Sequence, residues 1–190
     1  MEAIIRNRLK YTEPNYAKDW TYTTNATTTL VTKYIGTNTT VVTPNKIKKK
    51  PVVLQNSPNS SSGVFTNNRN ITSVTFDDGI TFTNNSMAYT FSNCYNLTQA
   101  PNIPNSVTSM AYTFRNCTNL IGNIIIRSEN ISNFRNCFYQ TNASKIKKVY
   151  IPYKYANGVN TKTYNAAFNG SYGISGKNGV TVYDMNTYTG

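Results

Sequence analysis

The sequence predicts a mainly β fold with short helical or 3₁₀ turns, wound into a solenoid of about four coils between a β-rich N-terminal cap and a C-terminal cap. Three observations predict it. A Phe-led motif recurs every 20 to 26 residues in the middle of the chain, segments rich in Thr, Val, Tyr and Ile flank it, and only one short helical pattern occurs, near the N-terminus. The 190 residues are enough to bury a core.

Residues 1–19 are predicted to be a separate N-terminal segment. Ile5 and Leu9 lie one helical turn apart among basic residues, and the pattern ends before Glu13-Pro14. A helix this short is marginal alone. We interpret it either as an attachment segment that docks on a partner surface or as a frayed terminus.

Residues 20–56 are predicted to form the β-rich N-terminal cap. The segments WTYTTN, TTTLVTKYIG and TTVVTP have strand composition and are separated by turn residues, so we expect a small set of antiparallel hairpins. Four lysines then surround Ile47 in KIKKKPVVLQ. They favour a solvated turn before the strand that begins at Pro51, although four such charges are also able to bind phosphate.

Residues 57–152 hold the repeats, which follow an exposed loop, SPNSSSG. The motif F-x-N-[CN]-x-N-[IL] begins at Phe65, Phe91 and Phe114, and a shortened fourth copy, FRNC, begins at Phe134. Such a period predicts coils that bury their apolar positions against neighbouring coils. Within one motif the apolar positions, such as Phe91, Cys94 and Leu97, recur every third residue. Each motif should therefore form a tight 3₁₀-like turn followed by a strand. The predicted buried ladder consists of Phe65, Phe91, Phe114, Phe134, Cys94, Cys117, Cys137, Leu97, Leu120 and Ile71.

The three cysteines are predicted to be structural. Cys94, Cys117 and Cys137 align at one position of successive copies, where the first copy has Asn68. An odd number of thiols on one internal face favours small buried side chains over disulfides, redox chemistry or metal binding. An asparagine ladder that bonds the turn backbone is expected from Asn67, Asn93, Asn116 and Asn136.

The end of the chain is predicted to close the solenoid. Residues 145–152, KIKKVYIP, have the pattern of a last strand. Residues 153–190 mix tyrosines with Gly and Asn. We assign them to the C-terminal cap, because an open last coil would expose core and an unpaired strand edge.

The composition argues against an enzyme. The chain has no His and only seven acidic residues, which removes the usual general base and the commonest metal ligand. The one acidic pair, Asp77-Asp78, precedes Gly79 and predicts a turn rather than paired-carboxylate chemistry. Phosphate-loop, nucleophile and metal-ligand motifs are lacking, so we expect no cofactor or metal. We also expect no membrane insertion, because no apolar run reaches spanning length.

The repeat sequence resembles a known family. The motif F-x-N-C-x-N-L followed by a strand, with IPNSVTS at residues 103–109 between copies, is similar to the BspA-type leucine-rich repeat family. WTYT, KYIG, VVTP and KPVV resemble the strand-rich piece that often precedes such repeats. The resemblance spans residues 20–152 and implies a leucine-rich-repeat-like solenoid. The chain departs from the family at Lys50, where Gly is commoner, and in its shortened fourth copy; both departures put strand register nearby in question.

The resemblance implies two settings for the protein. One is the bacterial surface, where such repeats resemble adhesins that bind host proteins or glycans. The other is the structural genes of phages and prophages, which this chain resembles more closely because it begins at Met, has few repeats, and shows neither a signal peptide nor a wall anchor.

The first functional hypothesis is therefore a non-enzymatic phage virion accessory protein: a fibre, tail-tip or head decoration protein, located on the virion and extracellular after lysis. Its N-terminal segment would bind other virion proteins, and its repeats would adhere to a host-surface protein or polysaccharide. A homo-oligomer is expected, because virion positions are symmetric. The second hypothesis is a fragment of an adhesin on the bacterial cell surface.

The third hypothesis, nucleic-acid binding, arises from a net charge of +12 and 13% aromatic residues. It is disfavoured because the basic residues are spread along the chain and no nucleic-acid-binding module is recognised. Attraction to anionic wall polymers, polysaccharides or a capsid surface explains the same charge.

The candidate ligand surface comprises Tyr89, Tyr112, Arg115 and Arg135. The two tyrosines align at one position of adjacent copies, and so do the two arginines, so each pair is expected to stack into a short row. A row of tyrosines is able to stack on sugars or protein. The alternative is that both tyrosines, two residues before a buried Phe, are partly core.

Overall fold

The computed structural model describes residues 17–59, 61–141, 146–151 and 181–184. Ile5 and Leu9 of the predicted attachment segment, and most of the predicted C-terminal cap, lie outside the described residues. The described part contains short strands and two three-residue 3₁₀ turns, Ala17–Asp19 and Thr83–Asn85, and no longer helix. The strands are β1 (Trp20–Thr24), β2 (Thr29–Tyr34), β3 (Thr40–Thr43), β4 (Lys46–Ile47), β5 (Lys50–Leu54), β6 (Ser73–Phe76), β7 (Thr81–Phe82), β8 (Gly122–Ile125), β9 (Ile146–Ile151) and β10 (Thr181–Asp184).

Parallel pairing between strands that are distant in sequence winds the chain into a solenoid. On one side β2 pairs with β5 and β5 with β7, and isolated bridges continue this row from Ser86 to Ser109 and on to Asn133. On the other side β3 pairs with β6, and β8, β9 and β10 form a second parallel group. Parallel neighbours require the chain to complete a circuit between them. The predicted mainly β solenoid is thereby confirmed.

The N-terminal strands combine hairpins with the first windings of the solenoid. β1 pairs antiparallel with β2, and β4 pairs antiparallel with β5. The predicted hairpin set is therefore only partly correct: β1 and β2 form a hairpin, but β3 pairs in parallel with β6, and β2 also has β5 as a parallel neighbour. Strands β2 and β5 are similar in composition, but the chain completes a circuit around the core between them. The winding therefore begins upstream of residue 57, where the repeats were predicted to start.

A column of five aromatic rings fills the core, with one ring in each coil: Tyr34 in coil one, Phe65 in coil two, Phe91 in coil three, Phe114 in coil four and Phe138 in coil five. Phe65 and Phe91 stack with ring centroids 5.2 Å apart, Phe91 and Phe114 at 5.6 Å, and Phe114 and Phe138 at 5.7 Å, all with nearly parallel planes. These separations are close to the spacing of adjacent strands. Every one of these rings is almost completely buried.

The column begins one coil earlier than the repeat text indicates. The amide of Tyr34 donates to the carbonyl of Val64 in the next coil, which places the Tyr34 ring beside Phe65 with centroids 6.0 Å apart. Trp20 packs beside both rings, with its centroid 4.9 Å from that of Tyr34 and 5.9 Å from that of Phe65. The hairpin of β1 and β2 thus adds the only tryptophan of the chain to the N-terminal part of the column.

The fourth copy occupies a different register from the one predicted. Phe91 donates its amide to Thr113, the residue before Phe114, and Phe114 donates its amide in the same way to Cys137, the residue before Phe138. Phe138 rather than Phe134 therefore continues the ring column. Phe134 is also buried, but it occupies the position of Met110, whose amide donates to Asn133. A coil needs the 24 residues from 114 to 138 to close, whereas the repeated letters FRNC suggested only 20.

This register predicts unequal effects for two similar substitutions. Phe134→Met places in coil five the residue that Met87 and Met110 supply in the preceding coils, and should cost less than about 1.5 kcal/mol. Phe138→Met removes the last ring of the stack and should cost more, by about 1 kcal/mol for the lost aromatic pair. Urea unfolding of the two variants measures the difference. The opposite order would support the register that places Phe134 in the column.

The turn between β4 and β5 has an unusual composition. Lys48 and Lys49 adopt positive φ angles of 51° and 63°, the backbone of a two-residue hairpin turn that favours Asn and Gly. Ile47 pairs directly with Lys50 across this turn. The position at which Gly is commoner in the family, Lys50, is therefore an ordinary strand residue here.

Relieving this turn should stabilise the protein. Lys49→Gly removes the steric cost of a left-handed lysine and is expected to raise the free energy of unfolding by about 0.5 to 1 kcal/mol. Lys50→Gly is the matched control, because it places Gly inside strand β5 and should destabilise by a similar amount. Thermal unfolding of both variants checks the signs; destabilisation by Lys49→Gly would contradict the turn geometry.

β9 is not the last strand, contrary to the prediction. β10 pairs with it in parallel, with Val182 opposite Val149. At least one further strand of the winding therefore lies inside residues 153–190, the predicted cap.

Candidate ligand-binding surface

Tyr89 and Tyr112 occupy one position of adjacent coils, two residues before the ring column. Both are half-buried, and both adopt left-handed backbone, with φ angles of 56° and 55°. Bulky residues rarely adopt this conformation, which costs about 1 to 2 kcal/mol relative to ordinary backbone. At the same position the chain has Gly63 in coil two and Asn136 in coil five, the residue types that tolerate positive φ.

The two tyrosine rings stack on each other. Their centroids are 4.7 Å apart and their planes differ by 5°. The stack runs parallel to the column of buried rings, one coil per ring, because each coil repeats the backbone path of the one before. Burial of the ring raises the pKa of Tyr89, and the neighbouring Tyr112 raises it further, whereas Arg115 and Arg135 lower it.

Two arginines lie over the same tyrosine. The guanidinium carbon of Arg115 is 6.0 Å from the ring centroid of Tyr112 and 5.6 Å from that of Tyr139. Arg135 approaches Tyr112 from the next coil at 5.9 Å. Contacts at these distances are cation–π interactions. We define the Tyr–Arg strip as Tyr89, Tyr112, Arg115, Arg135 and Tyr139.

The predicted row of arginines does not form. Arg115 is equivalent to Tyr139, and Arg135 is equivalent to Ala111, because the fourth copy is shifted by four residues. The arginines nevertheless meet at Tyr112, one from its own coil and one from the next. The structure thus brings together all four predicted surface residues and adds Tyr139, which sequence alignment placed outside any repeat position.

The strip is cationic and locally uncompensated. Among the described residues, no carboxylate pairs with Arg115 or Arg135. The Nε atom of Arg115 is buried without a hydrogen-bond partner within that same part of the chain. A buried donor without a partner is costly, and two unpaired cations beside one ring repel each other. The uncompensated positive charge favours binding of an anionic group.

The three cysteines lie in the buried core. Cys94 donates its thiol to the carbonyl of Phe65 and Cys117 to that of Phe91, both at 3.1 Å. The predicted equivalence of Cys137 with Cys94 and Cys117 is wrong. Cys137 is equivalent to Thr113, and the residue equivalent to Cys117 in coil five is Thr141. All three are free, buried thiols. Burial raises the pKa of Cys94 to about 12 and also raises those of Cys117 and Cys137.

The asparagine ladder forms with side chains bonded to each other. Asn93 donates from its amide to Asn67 at 2.7 Å, and Asn116 donates to Asn93 at 2.6 Å. The shifted register removes Asn136 from this ladder and places Gln140 at its position. Each ladder residue has positive φ, which explains why asparagine recurs there. Ile71, Leu97 and Leu120 follow the turns and are fully buried.

The remaining candidates from the sequence form turns. Asp77 accepts the amide of Asp78 at 2.9 Å, and Gly79 follows with positive φ before β7. Lys48 and Lys49 are exposed at the tip of their hairpin. The described residues contain no group of three or more His, Cys, Asp or Glu side chains able to hold a metal. In the same part of the chain, no helix has the length and apolar character to cross a membrane.

The fold and the strip define a solenoid repeat protein whose surface is assembled from side chains of successive coils. The model of the BspA type leucine rich repeat region matches residues 46–175 in six copies. Because this match covers more than half of the sequence, the chain belongs to that family. Leucine-rich repeats of this kind are typical of surface and adhesion proteins and mediate protein interactions.

Two solved structures are similar to this chain. The leucine rich repeat protein of T. pallidum (TpLRR) is similar with a TM-score of 0.51 and 16% identity, over 72% of this chain and 70% of that chain. A leucine rich cell surface protein of Faecalibacterium prausnitzii gives a TM-score of 0.46 and 17% identity, over 70% of this chain and 43% of that chain. No curated protein sequence matches.

Proposed function

We propose that this protein is a non-enzymatic adhesion module that binds a host-surface protein or polysaccharide through the Tyr–Arg strip. The observation that carries the proposal is the pair Tyr89 and Tyr112: the chain keeps two half-exposed aromatic residues in left-handed backbone where neighbouring coils have Gly63 and Asn136. Backbone strain of this kind concentrates at binding sites. Family membership and the absence of His from the chain support binding rather than catalysis.

The test separates binding from folding. The double variant Tyr89→Asn/Tyr112→Asn installs the residue that coil five already has, so relief of strain offsets the lost ring stack and the free energy of unfolding should change by less than about 1 kcal/mol. Binding of the purified protein to intact host cells should fall at least tenfold. Tyr95→Ser is the matched control, because Tyr95 lies in the same coil as Tyr89 but contacts Arg69, which is not part of the strip. Unchanged cell binding by the double variant would refute the proposal.

The display setting we propose first is a phage or prophage particle, with the segment around Ile5 and Leu9 binding other virion proteins and the chain self-associating. The alternative is the bacterial cell surface. Mass spectrometry of purified particles and of washed cell envelopes distinguishes the two settings. Ile5→Asp/Leu9→Asp should release the protein from whichever assembly carries it, while leaving binding by the strip unchanged; retention of this variant would refute the attachment role.

A further inference from the structure

We infer that the ligand of the Tyr–Arg strip is an acidic polysaccharide, whose anionic groups are bound by Arg115 and Arg135. This inference rests on the proposed function and adds the ligand class to it. It follows from three properties of the strip: the environment of Arg115, the packing of the Tyr112 ring, and the lack of aliphatic side chains in the strip.

The environment of Arg115 favours binding of an anion. Its guanidinium lies between the rings of Tyr112 and Tyr139, and its Nε atom is withdrawn from water without a hydrogen-bond partner among the described residues. A cation that is partly desolvated gains more from an added anion than a fully hydrated one. Arg135 adds a second positive charge at the same tyrosine. A carboxylate or sulfate group between them would satisfy both.

Tyr112 presents its edge and hydroxyl group rather than an open face. Tyr89 covers one face of Tyr112 at 4.7 Å, and Arg135 lies over Tyr112 from the next coil. Nucleic-acid bases bind by stacking on free aromatic faces, so this arrangement disfavours a nucleic acid. A polymer of hydroxyl-rich rings matches ring edges and phenolic oxygens, because both sides donate and accept hydrogen bonds.

A protein partner is disfavoured because the strip has no aliphatic side chain. Tyrosine and arginine also occur at the centre of protein interfaces, but there apolar neighbours surround them and exclude water. Among the described residues, the exposed large hydrophobic side chains are Ile35 and Ile121, and neither belongs to the strip. The strip instead combines two arginines from successive coils with tyrosine hydroxyl groups, which suits a hydroxyl-rich polymer that carries anionic groups.

The experiment measures binding of four polymers to the whole protein by biolayer interferometry. Polygalacturonate carries carboxylates, dextran sulfate carries sulfates, and carboxyl-reduced polygalacturonate and dextran are their neutral counterparts. We expect binding to at least one polyanion, at least tenfold weaker binding to its neutral counterpart, and at least a tenfold loss of polyanion affinity in Arg115→Gln. Arg69→Gln, the matched control at the Tyr95 contact, should retain affinity within twofold. Relative affinity for the two polyanions identifies the anionic group.

Three results would overturn the inference. Failure to bind either polyanion excludes the ligand class, and equal binding of charged and neutral polymers excludes the role of the arginines. Equal losses in Arg115→Gln and Arg69→Gln, or tighter binding to random-sequence DNA than to the polyanions, would indicate nonspecific charge attraction. In each case the cell-binding test of Tyr89→Asn/Tyr112→Asn decides the adhesion proposal separately, because a protein or neutral-glycan ligand would still depend on the tyrosines. Circular dichroism of Arg115→Gln verifies that the variant is folded.

Discussion

Phe91→Ala is expected to lower the free energy of unfolding by about 3 to 5 kcal/mol, enough to unfold much of the population of a domain of ordinary stability. Phe91 is fully buried, and its ring contacts Phe65 on one side, Phe114 on the other and Phe76 at 6.2 Å. Its removal opens a cavity in the middle of the column and breaks two stacked pairs. Neighbouring coils cannot collapse into that space, because inter-coil hydrogen bonds hold their backbones apart.

The control for Phe91→Ala is Ile121→Ala. Ile121 is also a large apolar residue in the winding, but 49% of its surface is exposed, so truncation should change stability by less than about 0.5 kcal/mol. Urea unfolding followed by circular dichroism measures both variants. Equal losses would mean that the ring column is not the principal source of stability.

The stability of the protein is expected to fall steeply above about pH 9. An unfolded thiol ionises near pH 9, whereas burial raises the pKa of Cys94 to about 12 and raises those of Cys117 and Cys137 in the same direction. In this window the folded state holds protons that the unfolded state releases, so a higher pH favours unfolding. The full stability is present below pH 9. Three such thiols together lower the free energy of unfolding by roughly 4 kcal/mol per pH unit above it.

Urea midpoints at pH 8, 9 and 10 under reducing conditions test this dependence. The variant Cys94→Ala/Cys117→Ala/Cys137→Ala should be less stable than the natural chain at pH 8, because three buried side chains are shortened. Its stability should nevertheless fall far less between pH 9 and 10. Parallel declines for the two proteins would show that other groups, such as the tyrosines, cause the alkaline transition.

The same burial bears on cysteine chemistry. Thiols react as thiolates, and a raised pKa keeps the thiol protonated. Cys94 and Cys117 also donate to backbone carbonyls of the preceding coil. These contacts make them part of the inter-coil hydrogen bonding.

For the candidate site, the sequence predicted the residues better than their arrangement. Tyr89 and Tyr112 align in MAYTF, written identically in two copies, so their stacking is predictable from the repeat. In the sequence, the positive φ angles of both tyrosines are indicated only by Gly63, which stands two residues before Phe65. Tyr139 was missed because its place beside Arg115 depends on the register of the fourth copy.

The sequence by itself determined that the chain winds, because F-x-N-[CN]-x-N-[IL] recurs at intervals that no single compact layer explains. It also determined the inward position of Phe65, Phe91 and Phe114, since spacing along one coil is a local property. Only the tertiary structure decided that the column starts at Tyr34 and continues through Phe138. Register between coils is set by hydrogen bonds across the winding and by the length needed to close a circuit, so the same four letters, FRNC, occupy different positions in successive coils.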